Sequence, residues 1–497
     1  MLRSISSRAA RGCVQPLSRA CCNTPTLRPT APRPSHFRSF SAAPQPSTAP
    51  PAPTPGKRLP RILEEVKSKT EITLELPTGG RTTLSYMWLR DHCREERSFH
   101  PKTRQRLVDT WKIPKDIAPE SIKMTDEGMV VNWPKTSTES AYESFYPWSF
   151  IVKHSYKPPL LRKTEARAGG TSRKIHWTKK IAKNPPTIEY ARVMESEEGV
   201  FEWLRLIDIY GFSLVSGIPP TPEATEELIR RIAFIRETHY GGFWDFTANL
   251  EHGDLAYSDV RLEAHTDTTY FTDPCGLQLF HLLSPTSTHT GGHNLLVDGF
   301  RAAHLLRSRD KKAYDLLSTL AVPAHASGSG SASHPSGVNM RPLRSFPIFN
   351  HDEHGELVMV RWNGDDRGAL GGQQFMGFLV EKWYKAVRSW ETILRSDEAQ
   401  LWTKMEPGTA VIFDNLRVLH GRSAFTGTRR LCGAYISGDD FRSRLVGLEK
   451  QFGSVEKLSG YQLQRAAVDE AVKRVGLEKA DTGKIGEKRR EAWAEYL

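Results

Sequence analysis

The sequence predicts a mainly β protein with flanking helices, built as a jelly-roll domain behind a small β-rich N-terminal domain. Three observations predict it. The stretch from about residue 210 to 440 breaks into short β-prone runs divided by Gly and Pro turns, among them GFSLVSGIP, CGLQLFHLL, GGHNLLVDGF, LVMVRWN, GTAVIFDNLRVLHGR and RRLCGAYIS. That rhythm belongs to a sandwich or barrel. Long amphipathic stretches lead into these runs and interrupt them, supplying helices to cover the sheets. Residues 58–155 carry their own hairpin rhythm, EITLELPTGGRTTLSYMWLRD and then IKMTDEGMVVNWP with a Glu-Gly turn.

Taken in order, residues 1–40 hold seven arginines, no lysine and no acidic residue; the first acid is Glu64. This Arg-rich, Ser-rich, acid-free composition is that of a mitochondrial presequence, and RSFSAAP from Arg38 to Pro44 places processing after Phe40. Removing the segment leaves +5 of the formal +12, which argues against reading the charge as a nucleic-acid footprint. Residues 41–57 are a Pro-rich linker. After the N-terminal domain, residues 156–190 read as a basic linker, and residues 191–445 as the jelly-roll domain. Its helices are SEEGVFEWLRLIDIYG, TPEATEELIRRIAFIRE and FMGFLVEKWYKAVRSWETILRS; Thr221 is the N-cap of the second, with Pro222 in its first turn. HASGSGSASHPSG, 325–337, is a low-complexity loop. Residues 446–497 form a charged helical tail with no evident role.

Composition bounds the function. A chain of 497 residues, 38% hydrophobic and 25% charged, buries a sizeable core, and no apolar run approaches 18 residues, so no membrane span is expected. Three cysteines outside the presequence, Cys93, Cys275 and Cys432, form no CxxC and no disulfide framework.

Histidine-carboxylate triplets are next. With 17 histidines and 57 acids in 497 positions, about two His-x-Asp/Glu triplets arise by chance; four occur, at His252, His265, His351 and His354. Context separates them. Only His265-Thr266-Asp267 borders a β-prone run, TDTTYF, and residues i and i+2 of a strand point the same way. DNLRVLHGRSAFTGTRR then offers His420 at a strand end, with Arg422, Arg429 and Arg430 close behind. Two histidines and a carboxylate make the facial triad of a non-haem iron site, and a trailing arginine suits the far carboxylate of a dicarboxylate.

AHTDTTYF, PCGLQLFH, GGHNLLVDGF, DNLRVLHGR and FTGTRRLCGAY resemble the 2-oxoglutarate- and iron(II)-dependent oxygenase family of carnitine biosynthesis, which comprises trimethyllysine dioxygenase and γ-butyrobetaine hydroxylase. The resemblance runs from about residue 75 to 440 and is strongest to the trimethyllysine branch. It implies a double-stranded β-helix, in agreement with the jelly-roll reading. It further implies His265, Asp267 and His420 as catalytic iron ligands, Arg429 as the grip on 2-oxoglutarate with Arg422 beside it, and Asn294 near the cosubstrate where relatives carry threonine. Tyr240, Trp244, Tyr257 and Tyr435 match an aromatic cage for a quaternary ammonium, which has no hydrogen-bond donor and is held by cation–π contact. Asp254 matches the residue facing the substrate's α-ammonium, and Asn363 is the candidate partner of its carboxylate. The implied reaction is hydroxylation of N6,N6,N6-trimethyllysine to its 3-hydroxy derivative, with O2 as cosubstrate and ascorbate as reductant, in a homodimer of the mitochondrial matrix. γ-Butyrobetaine hydroxylation is the alternative, and a non-catalytic jelly-roll binding protein a remoter one. In one respect the chain departs from the family: WLRDHCREERSFH keeps Cys93 but has Ser98 where relatives have a zinc-binding cysteine, so structural zinc in the N-terminal domain is not expected.

Overall fold

The computed structural model describes residues 59–63, 69–136, 140–166, 174–247, 259–328, 337–453, 460–477 and Trp493. The presequence and Pro-rich linker expected from the sequence lie outside them.

Period-two alternation builds the main sheet. In Leu277–Leu282, Leu277 and Leu279 face a layer of helices while Phe280 and Leu282 face the opposite way. Thr409–Asp414 divides likewise into Ala410 and Ile412 against Val411 and Phe413, and Arg430–Ile436 into Ala434 and Ile436 against Leu431. The strands stand in the order Trp244–Thr247, Arg430–Ile436, Leu277–Leu282, Thr409–Asp414, Phe212–Ser216, Thr187–Glu189, with Ile235–Arg236 pairing Arg430–Ile436 from the side. Helices Glu197–Tyr210, Pro222–Arg230 and Gly438–Phe452 cover its outer face.

A second sheet is ordered Leu262–His265, Val418–Arg422, Asn294–Asp298, Leu401–Thr403. Leu295, Val297 and Leu419 face helices Gly299–Arg309, Lys311–Thr319 and Leu379–Leu394. Leu296, Leu401 and Val418 turn inward to meet Leu282, Val411 and Phe413 of the first sheet. The result is a jelly-roll sandwich with helices outside both sheets. The run GTAVIFDNLRVLHGR, read as one strand, is two, with a turn at Asn415–Arg417 that passes the chain from one sheet to the other.

Thr221 accepts from the Ala224 amide and Pro222 opens the helix, as its sequence predicts, but the helix stops at Arg230. Ile235 and Arg236 leave the helical pattern to pair with Ile436 and Tyr435; ladder pairing at the sheet overrides local propensity.

The segment read as a linker joins the core from Lys174 onward. Trp177 is buried against Phe212, and its backbone N–H donates to Asp298. Asp298 also caps helix Gly299–Arg309 and forms a fully buried ion pair with Arg417, whose remaining N–H groups reach the carbonyls of Ile175 and Ile209. Every polar atom of this buried pair is thereby occupied.

The N-terminal region folds as two three-stranded antiparallel sheets, Arg61–Ile62, Glu71–Glu75 and Arg81–Ser85, then Ser121–Met124, Gly128–Trp133 and Tyr142–Pro147. Their apolar core is completed from the far end of the chain by Val468, Ala471, Val472, Leu477 and Trp493. Arg474 fixes that contact with a bidentate pair to Glu165. Helix Gly460–Arg474, with Val475, Leu477 and Trp493, thus packs as part of the N-terminal core. Here Cys93 Sγ lies 3.0 Å from Ser144 Oγ, His92 Nδ1 lies 2.8 Å from the Trp88 carbonyl, and His100 Nδ1 accepts from the Lys102 and Thr103 amides.

Candidate active site

Between the two sheets lies a cavity of about 390 Å³, the scale of a small-molecule site. Antiparallel pairing of Leu262–His265 with Val418–Arg422 sets His265 directly opposite His420, with ring centroids 4.4 Å apart. Asp267 joins them: its Oδ1 lies 3.3 Å from His265 Nε2 and 3.6 Å from His420 Nε2. Adjacent donors around an octahedral ion with bonds near 2.1 Å are about 3 Å apart, so the three atoms already stand close to metal-binding separation. Among the described residues this is the grouping of His, Cys, Asp and Glu side chains able to hold a metal ion.

The route to this alignment differs from the strand pleat read from the sequence. His265 ends its strand, and Asp267 stands in the following turn, where Thr268 has φ of 57°. The His-x-Asp spacing works here through a turn. That turn is pinned by the Thr266 amide to the Trp362 carbonyl and by the Cys275 amide to Thr268 Oγ1.

Hydrogen bonds orient the donors. His265 Nδ1 sits 2.7 Å from the Glu263 carbonyl, so it carries the proton and Nε2 is left for a metal. Burial alone lifts a carboxyl pKa, but the two imidazoles beside Asp267 hold it well below the usual range. Burial would lower His265, yet the Asp267 hydrogen bond and charge raise it to about 9; in His420 burial prevails and the pKa falls. A fixed negative charge between two imidazoles suits a divalent cation.

Two buried guanidinium groups line the same cavity. Arg422 and Arg429 lie 4.9 and 5.1 Å from the Phe425 ring centroid. Arg422 donates to the Val260 carbonyl. Arg429, 1% exposed, has no ion pair or hydrogen bond among the described residues, and burial followed by repulsion from Arg422 pushes its pKa down to about 10. It stays charged at neutral pH, and a buried charge without a partner is costly unless an anion binds it. Gly292 makes room for it: a Cβ there, at φ of 66°, would stand 2.9–3.1 Å from Arg429 Nε, Cδ and Cζ. Asn294 lines this end of the cavity, in register with Arg422.

Tyr240, Trp244 and Tyr435 also line the cavity. Trp244 meets Tyr435 edge-on at 6.3 Å and lies against Gly433, where a Cβ would come within 2.4 Å of the indole. Tyr257 and Asp254 lie outside the described residues. Asn363 reaches the wall but is engaged in its own turn, its Nδ2 donating to Asp366 and its Oδ1 accepting from the Asp365 and Asp366 amides; one N–H is left for a ligand.

Sequence reasoning missed several wall residues. Phe280 packs on both Trp244 and His420, Gln278 donates to the Tyr435 hydroxyl, and Tyr270 meets the Tyr240 hydroxyl at 3.2 Å. Alternation in CGLQLFHLL offered a signal for the first two, since Gln278 and Phe280 share the face of Leu282. The low-complexity loop contributes as well: strands Ala326–Gly328 and Val338–Met340 pair as a hairpin base that brings His325 and Ser327 to the cavity; its tip lies outside the described residues.

Comparison with known proteins gives two family matches: residues 174–435 match the taurine catabolism dioxygenase TauD, TfdA family, and residues 64–151 the γ-butyrobetaine hydroxylase-like N-terminal family. The chain is 41% identical over 419 residues to trimethyllysine dioxygenase of Neurospora crassa, covering 76% of this chain and 84% of that protein. It is 36% identical to mitochondrial trimethyllysine dioxygenase of Rattus norvegicus, covering 73% and 82%. Similarity to γ-butyrobetaine dioxygenase of a Pseudomonas species is lower, 28% identity over 73% and 90% of the two chains.

Proposed function

Since the chain belongs to the trimethyllysine dioxygenase branch of the TauD family, we propose that it hydroxylates free N6,N6,N6-trimethyllysine at C3, using Fe(II), 2-oxoglutarate and O2. The overall reaction consumes one 2-oxoglutarate and one O2 and yields the 3-hydroxy product, succinate and CO2, the opening reaction of carnitine biosynthesis. One observation carries the reading: a buried Arg429 with no counter-charge among the described residues shares a cavity with three metal-competent donor atoms and an aromatic wall. That combination suits an anion, a metal ion and an organic cation in one place.

His265, Asp267 and His420 would hold ferrous iron, which when bound would supply oxygen activation and an attachment point for the 2-oxo acid end of the cosubstrate. Arg429 neutralises the distal carboxylate, with Arg422 reinforcing the positive end. Tyr240, Trp244 and Tyr435 hold the trimethylammonium head by cation–π contact, and the family resemblance adds Tyr257 to that cage. Asp254 accepts the α-ammonium, and Asn363 offers its free N–H to the substrate carboxylate. The fixed head and tail hold one C–H bond toward the metal, and positioning of this kind supplies much of the rate.

The reading extends to a matrix enzyme with a cleaved basic leader, a homodimeric assembly and an ascorbate requirement, as the family resemblance implies. Relatives named mitochondrial support the compartment.

Succinate release in the presence of iron and 2-oxoglutarate tests the proposal, with trimethyllysine and γ-butyrobetaine compared as substrates. Trimethyllysine is expected to be preferred, and Asp267→Ala to abolish turnover of both. Preference for the betaine would overturn the substrate assignment; turnover in Asp267→Ala would remove that residue from the ligand set.

A further inference from the structure

We propose that Asp267 is held in ligand geometry by a two-point clamp, Asn415 on its backbone and the Tyr435 hydroxyl on its outer oxygen, which makes both of them positioning residues. The inference rests on the iron reading above. It starts from the turn at 266–268. Thr268 is β-branched, buried and at φ of 57°, a conformation that costs about 1–2 kcal/mol for an L-residue. Asp267 has no strand pairing of its own to fix its carboxylate, so surrounding groups must.

Asn415 supplies the first grip. Its fully buried amide is complementary to the Asp267 backbone: Oδ1 accepts from Asp267 N at 2.7 Å, and Nδ2 donates to Asp267 O at 3.1 Å and to Cys275 O at 2.9 Å. Both Nδ2 hydrogens are used, so neither aspartate nor leucine can reproduce the set. Asn415 stands in the turn that opens strand Val418–Arg422. The element that presents His420 therefore also grips the backbone of Asp267, tying two of the three donors into one unit.

Tyr435 supplies the second grip. Its hydroxyl donates to Asp267 Oδ2 at 2.7 Å, leaving Oδ1 turned toward both imidazoles. Gln278 Nε2 donates to that hydroxyl at 3.2 Å, which occupies an acceptor site on the phenol oxygen and directs its hydrogen to the carboxylate. Tyr435 thus combines a ring on the cavity wall with a hydroxyl on the metal ligand. Removing the hydroxyl alone separates the two functions.

The test is Co(II) binding to metal-free, full-length protein by titration calorimetry, with thermal unfolding of the same metal-free samples. Tyr435→Phe keeps the ring and is expected to weaken Co(II) binding by about 10- to 100-fold, the usual effect of removing a group that orients a ligand, while the metal-free unfolding midpoint holds. Asn415→Asp, which loses both donors, is expected to weaken Co(II) binding at least as much; should it fail to fold, the Tyr435→Phe titration decides alone. Wild-type Co(II) affinity in Tyr435→Phe would overturn the clamp. His265→Ala distinguishes the two levels: Co(II) binding indifferent to that change refutes the metal site itself, whereas binding lost in His265→Ala and intact in Tyr435→Phe refutes only the clamp.

Discussion

Arg429→Met separates what the fold needs from what the site needs. Burial moves the Arg429 pKa from the ordinary arginine range down to about 10. At about 1.4 kcal/mol per unit, the charged side chain costs the ligand-free protein about 3 kcal/mol relative to the unfolded chain. Methionine fills much of the same space without a charge, and replacing buried charges by apolar groups is often neutral or stabilising. The ligand-free variant is therefore expected to be as stable as wild type or more so, by about 1–3 kcal/mol, read as a raised thermal unfolding midpoint. Its response to cosubstrate is expected to reverse that order. With Co(II) present, 2-oxoglutarate at a hundredfold excess over Kd stabilises wild type by about 2.7 kcal/mol and leaves Arg429→Met unmoved. Loss of a buried charge-assisted pair, about 2–5 kcal/mol, raises the KM for 2-oxoglutarate by well over tenfold. A variant that is less stable without ligand and keeps its KM would refute the reasoning, because Arg429 would then be a structural cation with a partner.

The buried pair Arg417–Asp298 has the opposite character. Both side chains are fully buried and every guanidinium nitrogen has an acceptor, so Asp298→Ala strands a guanidinium, uncaps helix Gly299–Arg309 and is expected to cost about 3–5 kcal/mol; thermal unfolding checks it, and Arg417→Met added to the same chain recovers part of the loss. Acid sensitivity is expected from His281. Thr225 Oγ1 donates to the Thr221 carbonyl, so His281 Nδ1 donates to Thr225, and its Nε2 accepts from the Gly408 amide. Burial pushes its pKa from 6.5 to about 4. The folded state disfavours the proton, so stability is complete above pH 6.5 and is lost as pH falls from 6.5 to 4, by up to about 3 kcal/mol; denaturant unfolding across that range is expected to lose one proton of slope in His281→Gln.

Much of this protein was legible locally. Residues that alternate within one strand, such as Gln278 and Phe280 against Leu277 and Leu279, declare which face meets the helices, and Thr221-Pro222 declares a helix start, because these signals involve neighbours a few positions apart. The donor residue types and the trailing arginines were equally visible. The helix beyond Arg230 was misjudged because Ile235 and Arg236 answer to a partner 200 residues away.

Tertiary structure decided the rest. Whether His265 faces His420 depends on the register between strands about 150 residues apart, and a shift of one residue would turn either imidazole away. The His-Thr-Asp triplet reads the same whether Asp267 lies on a pleat or in a turn; Trp362 and Asn415 on the turn's backbone and Tyr435 on the carboxylate are all distant in sequence. That Arg429 lacks a counter-charge among the described residues, while Arg417 has one, is likewise invisible in composition. The sequence determined which chemistry was present and which faces were apolar, since those follow from residue type and spacing. Packing alone determined which charges were left unsatisfied, and at this site those are the groups poised to bind.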